Sequence, residues 1–193
     1  MIMYATKQTI ERFKIKMPDE MHPISKAEAN RIITNEQGEP LVEWGMKMFY
    51  FDHRKCIQAM NFASKFTIFL IDIKVGDFES VANLIALYLL DIYKNDSIMI
   101  KTLEKHFSSN SVCVYSKLTD RSIISSLNRN QSDFALDGYA FYEYFENNVL
   151  QTRKINHDIN FKWFVSQKIN GKTEYVLPGE RFRKLLLDRY NRS

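Results

Sequence analysis

The amino-acid sequence predicts an α+β protein, with a mostly antiparallel sheet of about four to six strands and helices packed on one face. Three observations support this class. Short β-prone runs are joined by turns of three or four residues. A longer segment repeats its apolar residues with helical spacing. The chain has 193 residues, of which 45% are hydrophobic, and this suits a single domain over 1–193.

The N-terminal quarter begins with a β-prone segment and then loses its pattern. Residues 1–6 predict an opening strand, and Thr6 is placed to cap a short helix over 7–13. Segment 15–43 holds three of the four prolines and shows no clear periodicity. We predict that it is a long surface loop or a lid, with a short helix over 25–33 inside it.

The middle of the chain predicts an antiparallel meander followed by helices. Three strand-like runs lie at 45–51, 56–62 and 66–71, with short polar turns between them. The next segment, ending near Tyr93, places its apolar residues on one helical face, which we expect to pack on the sheet. A second helix is predicted over 98–107.

The second half of the chain is less regular. One long helical segment is expected there, either as one helix or as two helices broken near 137–138. The remaining predicted elements are a strand at 111–116, this helical segment at 119–148, a possible hairpin of 161–169 and 173–177, and a basic last helix at 180–192.

Charge is distributed unevenly along the chain. The formal net charge is +4, with +6 on residues 150–193 and −2 on residues 1–149. A mildly basic chain does not by itself indicate nucleic-acid binding, because dedicated binders concentrate their positive charge. The basic C-terminal quarter is the part of the sequence that favours it.

Several classes of protein are disfavoured. The two cysteines are far apart, no signal peptide is recognisable, and the longest apolar run is too short for a membrane span, so a cytoplasmic protein without membrane contact is expected. The four histidines have no metal-ligand spacing, and no glycine-rich phosphate loop or nucleophile elbow is present. We therefore expect no metal and no cofactor.

The first candidate site is the turn that joins the first two strands of the meander. His53 is a candidate general acid or base, and Arg54 and Lys55 are candidate phosphate ligands. Cys56, beside two cations, is a candidate low-pKa thiol. The alternative is an ordinary charged hairpin turn whose cysteine points into the core.

The second candidate site is a predicted helix start. Arg121 and Ser122 follow the predicted cap, which is Thr119 or Asp120, and Asn128 lies further along the same segment. The exposed N–H groups of a helix start bind anions, and an arginine adds charge there. The alternative is a simple N-cap with no ligand.

The third candidate site is the predicted basic helix at 180–192. Arg181, Arg183 and Lys184 are placed to follow a nucleic-acid backbone. The alternative is an amphipathic helix that packs residues such as Phe182 inside and leaves its basic face in water.

Two of these runs resemble a known family. The segment from Trp44 to Asn61 holds a Trp, a hydrophobic strand, the run Asp-His-Arg-Lys-Cys and an Asn turn; the run 120–128 reads Asp-Arg-Ser-Ile-Ile-Ser-Ser-Leu-Asn. Both are similar to signatures of a family of small bacterial proteins of unknown function. The resemblance implies no activity. The polar residues that match are Asp52, Arg54, Lys55, Asn61, Asp120, Arg121, Ser122, Ser126 and Asn128.

Three functional hypotheses follow. The first is a non-enzymatic protein that binds RNA, DNA or a ribonucleoprotein, and more narrowly a mobile-element inhibitor of a host defence nuclease. The second is a protein–protein adaptor that uses the aromatic stretch 134–145 or the segment 15–43. The third is a metal-independent phosphodiesterase with His53 as acid or base and Arg54, Lys55 and Arg121 on the phosphate. The third requires the 52–56 turn and the 119–128 helix start to line one cleft.

Overall fold

A computed structural model of the protein describes residues 1–136 and 139–190. Its centre is a five-stranded sheet in the order β4-β3-β2-β1-β5. β1 runs parallel to β2 and to β5, whereas β2–β3 and β3–β4 are antiparallel. These strands are β1 (Ile2–Ala5), β2 (Glu43–Phe51), β3 (Arg54–Asn61), β4 (Thr67–Leu70) and β5 (Val114–Lys117).

Two small hairpins lie outside the central sheet. They are β6 (Phe145–Glu146) with β7 (Val149–Leu150), and β8 (Val165–Ile169) with β9 (Lys172–Val176). Of the six strand pairings in the described part of the chain, four are antiparallel. The predicted hairpin of the C-terminal quarter is confirmed, and its turn uses Asn170 and Gly171 at φ 50° and 78°.

The helices complete an α+β fold, as predicted. They are α1 (Lys7–Phe13), α2 (Pro23–Glu36), α3 (Val81–Ile92), α4 (Ser97–Ser109), α5 (Arg121–Gln131), α6 (Tyr139–Tyr142), α7 (Thr152–Phe161) and α8 (Pro178–Tyr190). Short 3-10 helices lie at Pro18–Glu20 and Val75–Ser80, and a π-helical segment at Ser132–Leu136 follows α5. The break expected at 137–138 lies outside the described residues. No helix in the described ranges is long and apolar enough to cross a membrane.

The helices cover both faces of the sheet, so the expectation of one covered face is wrong. Alternate residues of β2 point to opposite faces. Trp44 and Met46 pack with residues of α1, α3, α4 and α8 in the largest core cluster. Phe49 faces the other way and packs with Phe134 and with Ile155 of α7. The central strands are therefore buried on both sides, as in sheets with helical layers above and below.

Segment 15–43 is not a long loop or lid. It contains the 14-residue helix α2, which starts at Pro23 and buries Ala29 and Ile32 in a cluster with Ile2 and Val114. Proline fits the first position of a helix, because the N–H that it lacks would have no intrahelical partner there. The sequence interpretation counted Pro23 among the prolines of an aperiodic segment, and its predicted helix over 25–33 therefore starts too late and is too short.

Helix α7 closes the open edge of the sheet. Asn156 Oδ1 accepts from Phe69 N at 2.7 Å, and Asn156 Nδ2 donates to Phe69 O at 3.0 Å. Asn160 makes the same pair of bonds with Thr67, at 2.8 and 2.7 Å. Two asparagines four residues apart thus stand in for a neighbouring strand, and they satisfy backbone groups that would otherwise be unpaired in the interior.

Candidate ligand-binding cleft

The predicted site at the β2–β3 turn is an exposed hairpin tip. Asp52 and His53 adopt left-handed φ values of 47° and 60°, and Arg54 is exposed. Cys56 points into the core, where burial raises the pKa of its thiol. The prediction of a low-pKa cysteine is therefore wrong, and the alternative of an inward-facing cysteine is confirmed.

The hairpin tip and the start of α5 do not meet. Helix α5 packs near the beginning of β2, where Ile123 lies against Gly45 and Lys47 Nζ donates to Asn128 Oδ1 at 2.6 Å. Seven residues of extended strand separate Gly45 from Asp52, a distance of about 23 Å. The phosphodiesterase hypothesis built on His53 required one shared cleft, and that requirement is not met.

Helix α8 is an amphipathic core helix. Phe182 and Leu186 are fully buried. Arg183 forms a salt bridge with Asp96 at 2.7 Å, and Arg189 forms one with Glu39 at 2.7 Å. Part of the positive charge of this helix is therefore neutralised within the fold.

The other basic residues of this region differ in their exposure. Lys184 is exposed, whereas Arg181 is half-buried and its Nε makes no hydrogen bond in the described structure. Arg192, the last arginine of the predicted 180–192 helix, lies outside the described residues.

The aromatic stretch 134–145 is divided between core and surface. Phe134 and Phe141 are buried beneath the sheet, whereas Tyr142 and Phe145 are exposed and stack with ring centroids 5.8 Å apart. The side chain of Tyr139 is outside those described. The stretch as a whole is therefore not a surface stripe, and the part of the adaptor hypothesis that rests on it keeps only this exposed aromatic pair.

A cleft that the sequence interpretation did not foresee lies between α5 and the β8–β9 hairpin. It consists of two spaces of about 560 and 360 Å³ that share Lys65, Ser122, Ser126 and Ser166 as lining residues. The β3–β4 turn, residues 62–66, forms its floor. Its size falls within the range of small-molecule pockets. Of the predicted site residues, Ser122 lines this cleft, whereas Arg121 and Asn128 lie exposed on α5 outside the lining.

The floor of the cleft is held by the buried Asn61. Its Oδ1 accepts from Ala63 N, Ser64 N and Ser64 Oγ at 3.0 to 3.2 Å. Its Nδ2 donates to Leu41 O at 3.0 Å on the other side. This network fixes a turn in which Lys65 has φ 62°, a conformation that costs free energy for a residue with a β-carbon.

Lys65 is the central charged group of the cleft. Its residue is 7% exposed, and its Nζ lies 3.5 Å from Ser122 Oγ. Burial lowers the pKa of Lys65, and the nearby Asp120 carboxylate opposes that shift. Asp120 caps α5 by accepting from Ile123 N at 2.8 Å, so it is held in place by the helix start.

A buried carboxylate borders the cleft on the side of β2. Glu43 Oε1 accepts from Tyr4 OH at 2.9 Å and from Gly38 N at 3.1 Å. Burial, together with the Glu43 carboxylate, raises the pKa of Tyr4. Tyr4 also stacks on Phe62 with ring centroids 5.2 Å apart, which gives this end of the cleft an aromatic wall.

The opposite end of the cleft carries exposed aromatic side chains. Trp163, Phe164 and Tyr175 are 43%, 66% and 75% exposed, and all three line the smaller space with Arg129. Trp163 is fixed by the buried Phe134, with ring centroids 4.7 Å apart. Phe164 and Tyr175 are among the most exposed large apolar side chains of the described residues.

The hairpin is tied to the floor of the cleft. Gln167 Nε2 donates to Ala63 O at 2.6 Å, which fixes β8 against the β3–β4 turn. In the described residues, no group of three or more His, Cys, Asp or Glu side chains is placed to hold a metal ion.

Sequence reasoning missed Lys65, Glu43 and the three aromatic residues of the hairpin. Lys65 stands in an Ala-Ser-Lys run that reads as an ordinary polar turn. The one available signal was the Asn61 match in the family resemblance, because that asparagine builds the turn that carries Lys65.

The protein is an α+β protein with a mixed sheet covered on both faces and a polar cleft beside the first turn of α5. The sequence matches a family described as a domain of unknown function (DUF6933) over residues 2–181, and the chain belongs to that family. This agrees with the predicted membership of a family of unknown function. None of the curated proteins matches the sequence.

Proposed function

We propose that the protein binds single-stranded nucleic acid, as free RNA or DNA or within a ribonucleoprotein, in the cleft between α5 and the β8–β9 hairpin. The observation that carries this proposal is the set of exposed aromatic residues beside a cleft that also holds cations and hydroxyl groups. Proteins that bind single strands combine these two features, because bases stack on aromatic rings while cations follow the backbone.

The aromatic residues supply the stacking surface. Trp163 is held against Phe134 and leaves part of its ring in water, so no rearrangement is needed before a base stacks on it. Tyr175 stands on the second strand of the hairpin and is 75% exposed. Stacking of a base on an aromatic side chain contributes about 1–3 kcal/mol.

Polar groups line the remaining wall. Lys65, Arg129 and Lys168 border the two spaces of the cleft, together with the carboxylates of Glu43, Asp120 and Asp133. Ser122, Ser125 and Ser126 of α5 add hydroxyl groups to the lining. Cations that border a groove attract phosphate, and hydroxyl groups accept and donate hydrogen bonds to sugar and base edges. Arg121 is exposed at the first position of α5, where it adds a positive charge next to Ser122 in the sequence.

The proposed binding cleft is not the surface that the sequence predicted. Arg54 and Lys55 lie at the far hairpin tip, and Arg183 is engaged in a salt bridge. These residues contribute to the overall field of the protein rather than to the proposed cleft. The narrower idea of an inhibitor of a host defence nuclease stays a prediction.

The test is a fluorescence-anisotropy titration with labelled oligouridylate, oligothymidylate and duplex DNA at about 50 and about 200 mM salt. We expect single strands to bind more tightly than the duplex. Tyr175→Ala should weaken binding about 5- to 150-fold, the equivalent of one lost stacking contact. The matched control is Tyr142→Ala, which removes another exposed tyrosine, 55% exposed, outside the cleft.

Two results would contradict the proposal. One is the absence of binding at low salt. The other is equal loss of affinity in Tyr175→Ala and Tyr142→Ala, because a nonspecific surface would not distinguish the two tyrosines.

A further inference from the structure

The floor of the cleft holds a serine and a lysine in an arrangement that nucleic-acid binding does not require. Ser122 is exposed at the second position of α5, and the buried Lys65 amine lies 3.5 Å from its Oγ. A nucleophile beside a base is the geometric signature of covalent catalysis, and in structures without substrate this contact is often longer than a finished hydrogen bond. We propose that Ser122 is a nucleophile and Lys65 its general base, and that the pair cleaves carboxylic esters.

The surroundings of Lys65 suit a base. In the described structure, no carboxylate lies within 4.0 Å of its Nζ, and Ser122 Oγ is the hydrogen-bond partner of that nitrogen. Burial lowers the pKa of the amine, which increases its neutral, proton-accepting fraction. The charged groups that face the cleft are Arg129 from α5, Asp120 and Asp133 from the segments that flank it, Glu43 from β2 and Lys168 from β8. The Asp120 carboxylate opposes the shift.

The surroundings of Ser122 suit a nucleophile. It lines both spaces of the cleft, so an ester can reach it. Helix geometry leaves the N–H groups of Arg121 and Ser122 without intrahelical partners, whereas that of Ile123 is taken by Asp120. Free N–H groups at a helix start stabilise negative charge, as an oxyanion requires.

The backbone of Lys65 is pre-organised. Its φ of 62° is maintained by the Asn61 network and by Thr67 Oγ1, which donates to Lys65 O at 3.0 Å. Residues that the surrounding structure holds in sparsely populated backbone conformations cluster at active sites and ligand clamps.

The chemical step balances without a further reactant. Ser122 Oγ attacks the ester carbonyl carbon, and its proton passes to the neutral Lys65 Nζ. The tetrahedral intermediate collapses, the bond from carbon to the leaving oxygen breaks, and the Lys65 ammonium returns the proton to the leaving alkoxide. Water then attacks the acyl-serine carbonyl carbon while Lys65 Nζ accepts its proton. The bond from that carbon to Ser122 Oγ breaks, Lys65 returns the proton to Oγ, and the acid is released.

The experiment uses a fluorophosphonate probe on the full-length protein with no nucleic acid present, so its outcome is separate from that of the binding proposal. Attack of Ser122 on phosphorus expels fluoride and leaves one adduct, which peptide mass spectrometry locates. We expect a single adduct at Ser122. Ser97→Ala, which removes an exposed serine in the first turn of α4 outside the cleft, should label at the normal rate.

Lysine variants test the role of the base. Lys65→Met keeps the length of the side chain and Lys65→Arg keeps its charge, but neither accepts a proton at ordinary pH. Both should lower the labelling rate by about 100-fold or more. In the native protein, the labelling rate should rise with pH to a half-maximum below the usual lysine pKa of about 10.4. This pH profile keeps the test valid if a variant fails to fold.

Three results would overturn the proposal: no adduct, an adduct on a serine other than Ser122, or a labelling rate that is unchanged in folded Lys65→Met. A pH profile with its half-maximum at or above the ordinary lysine value would also overturn it.

Discussion

The pair of asparagines on α7 should contribute strongly to stability. Replacing Asn160 by alanine removes the partners of Thr67 N and Thr67 O, and both of these groups lie in the interior. A buried backbone group left without a partner costs about 1–3 kcal/mol, so the variant, which unpairs two such groups, should lose about 2–6 kcal/mol of unfolding free energy. Asn156→Ala should lose a similar amount, because it unpairs the corresponding groups of Phe69.

The measurement is urea unfolding followed by circular dichroism, with Asn30→Ala as the matched control. Asn30 is an exposed asparagine in α2, and alanine there changes helix propensity by only a few tenths of a kcal/mol. A loss below about 1 kcal/mol in both α7 variants would refute the reasoning, because water would then replace the two asparagines at little cost.

Three further predictions concern packing, pH and thiol chemistry. Gly45→Ala would place a β-carbon 2.5 Å from Ile123 Cγ2 and should lower the unfolding free energy, measured in urea, by about 1–3 kcal/mol. The control Gly76→Ala, where the added carbon meets open space, should lower it far less. Equal losses of unfolding free energy in the two variants would contradict the packing argument. Burial lowers the pKa of His106 from 6.5 to about 4, so between these pH values the unfolded chain binds a proton that the folded protein does not bind. The unfolding free energy should therefore fall by about 3 kcal/mol as the pH is lowered from 6.5 to about 4. An unfolding free energy that does not change over this pH range would contradict the prediction. Cys56 is fully buried with a raised thiol pKa, so an aromatic disulfide reagent at pH 8 should modify it only at the rate of unfolding, and rapid modification would contradict its placement.

Local patterns in the sequence predicted local structure well. Thr6 and Asp120 cap α1 and α5 as expected, because a side-chain oxygen at a helix start accepts a hydrogen bond from a free backbone N–H three residues later. The strands β2, β3 and β4 follow from short polar turns between β-prone runs. These features depend only on residues that lie a few positions apart in the sequence, so the sequence alone was enough to predict them.

Features that depend on distant pairing could not be predicted in the same way. β1 lies between β2 and β5, parallel to both, although about 40 and about 110 residues separate it from them. A short N-terminal strand carries no signal for a central position. The coverage of both faces was missed for a related reason, since β2 is buried on both sides and does not alternate clearly.

The site was missed because its parts look ordinary in isolation. Lys65 reads as a solvated turn lysine, and only the packing of α5 and the β8–β9 hairpin around it makes it a buried amine. Trp163 and Tyr175 read as core or hairpin residues, and only the fold leaves them exposed at one cleft. The sequence motifs drew attention to His53 and Arg54, which lie at the opposite end of β2.

The most direct test of the proposed binding function is the intrinsic tryptophan fluorescence of the protein during titration with unlabelled oligouridylate. The chain has two tryptophans, and Trp44 is 1% exposed whereas Trp163 is 43% exposed at the cleft. If bases stack at the cleft, the fluorescence should be quenched saturably in the native protein, and the quench should disappear in Trp163→Phe while that variant still binds. Binding without any change in Trp163 emission, or no binding at all, would contradict the account.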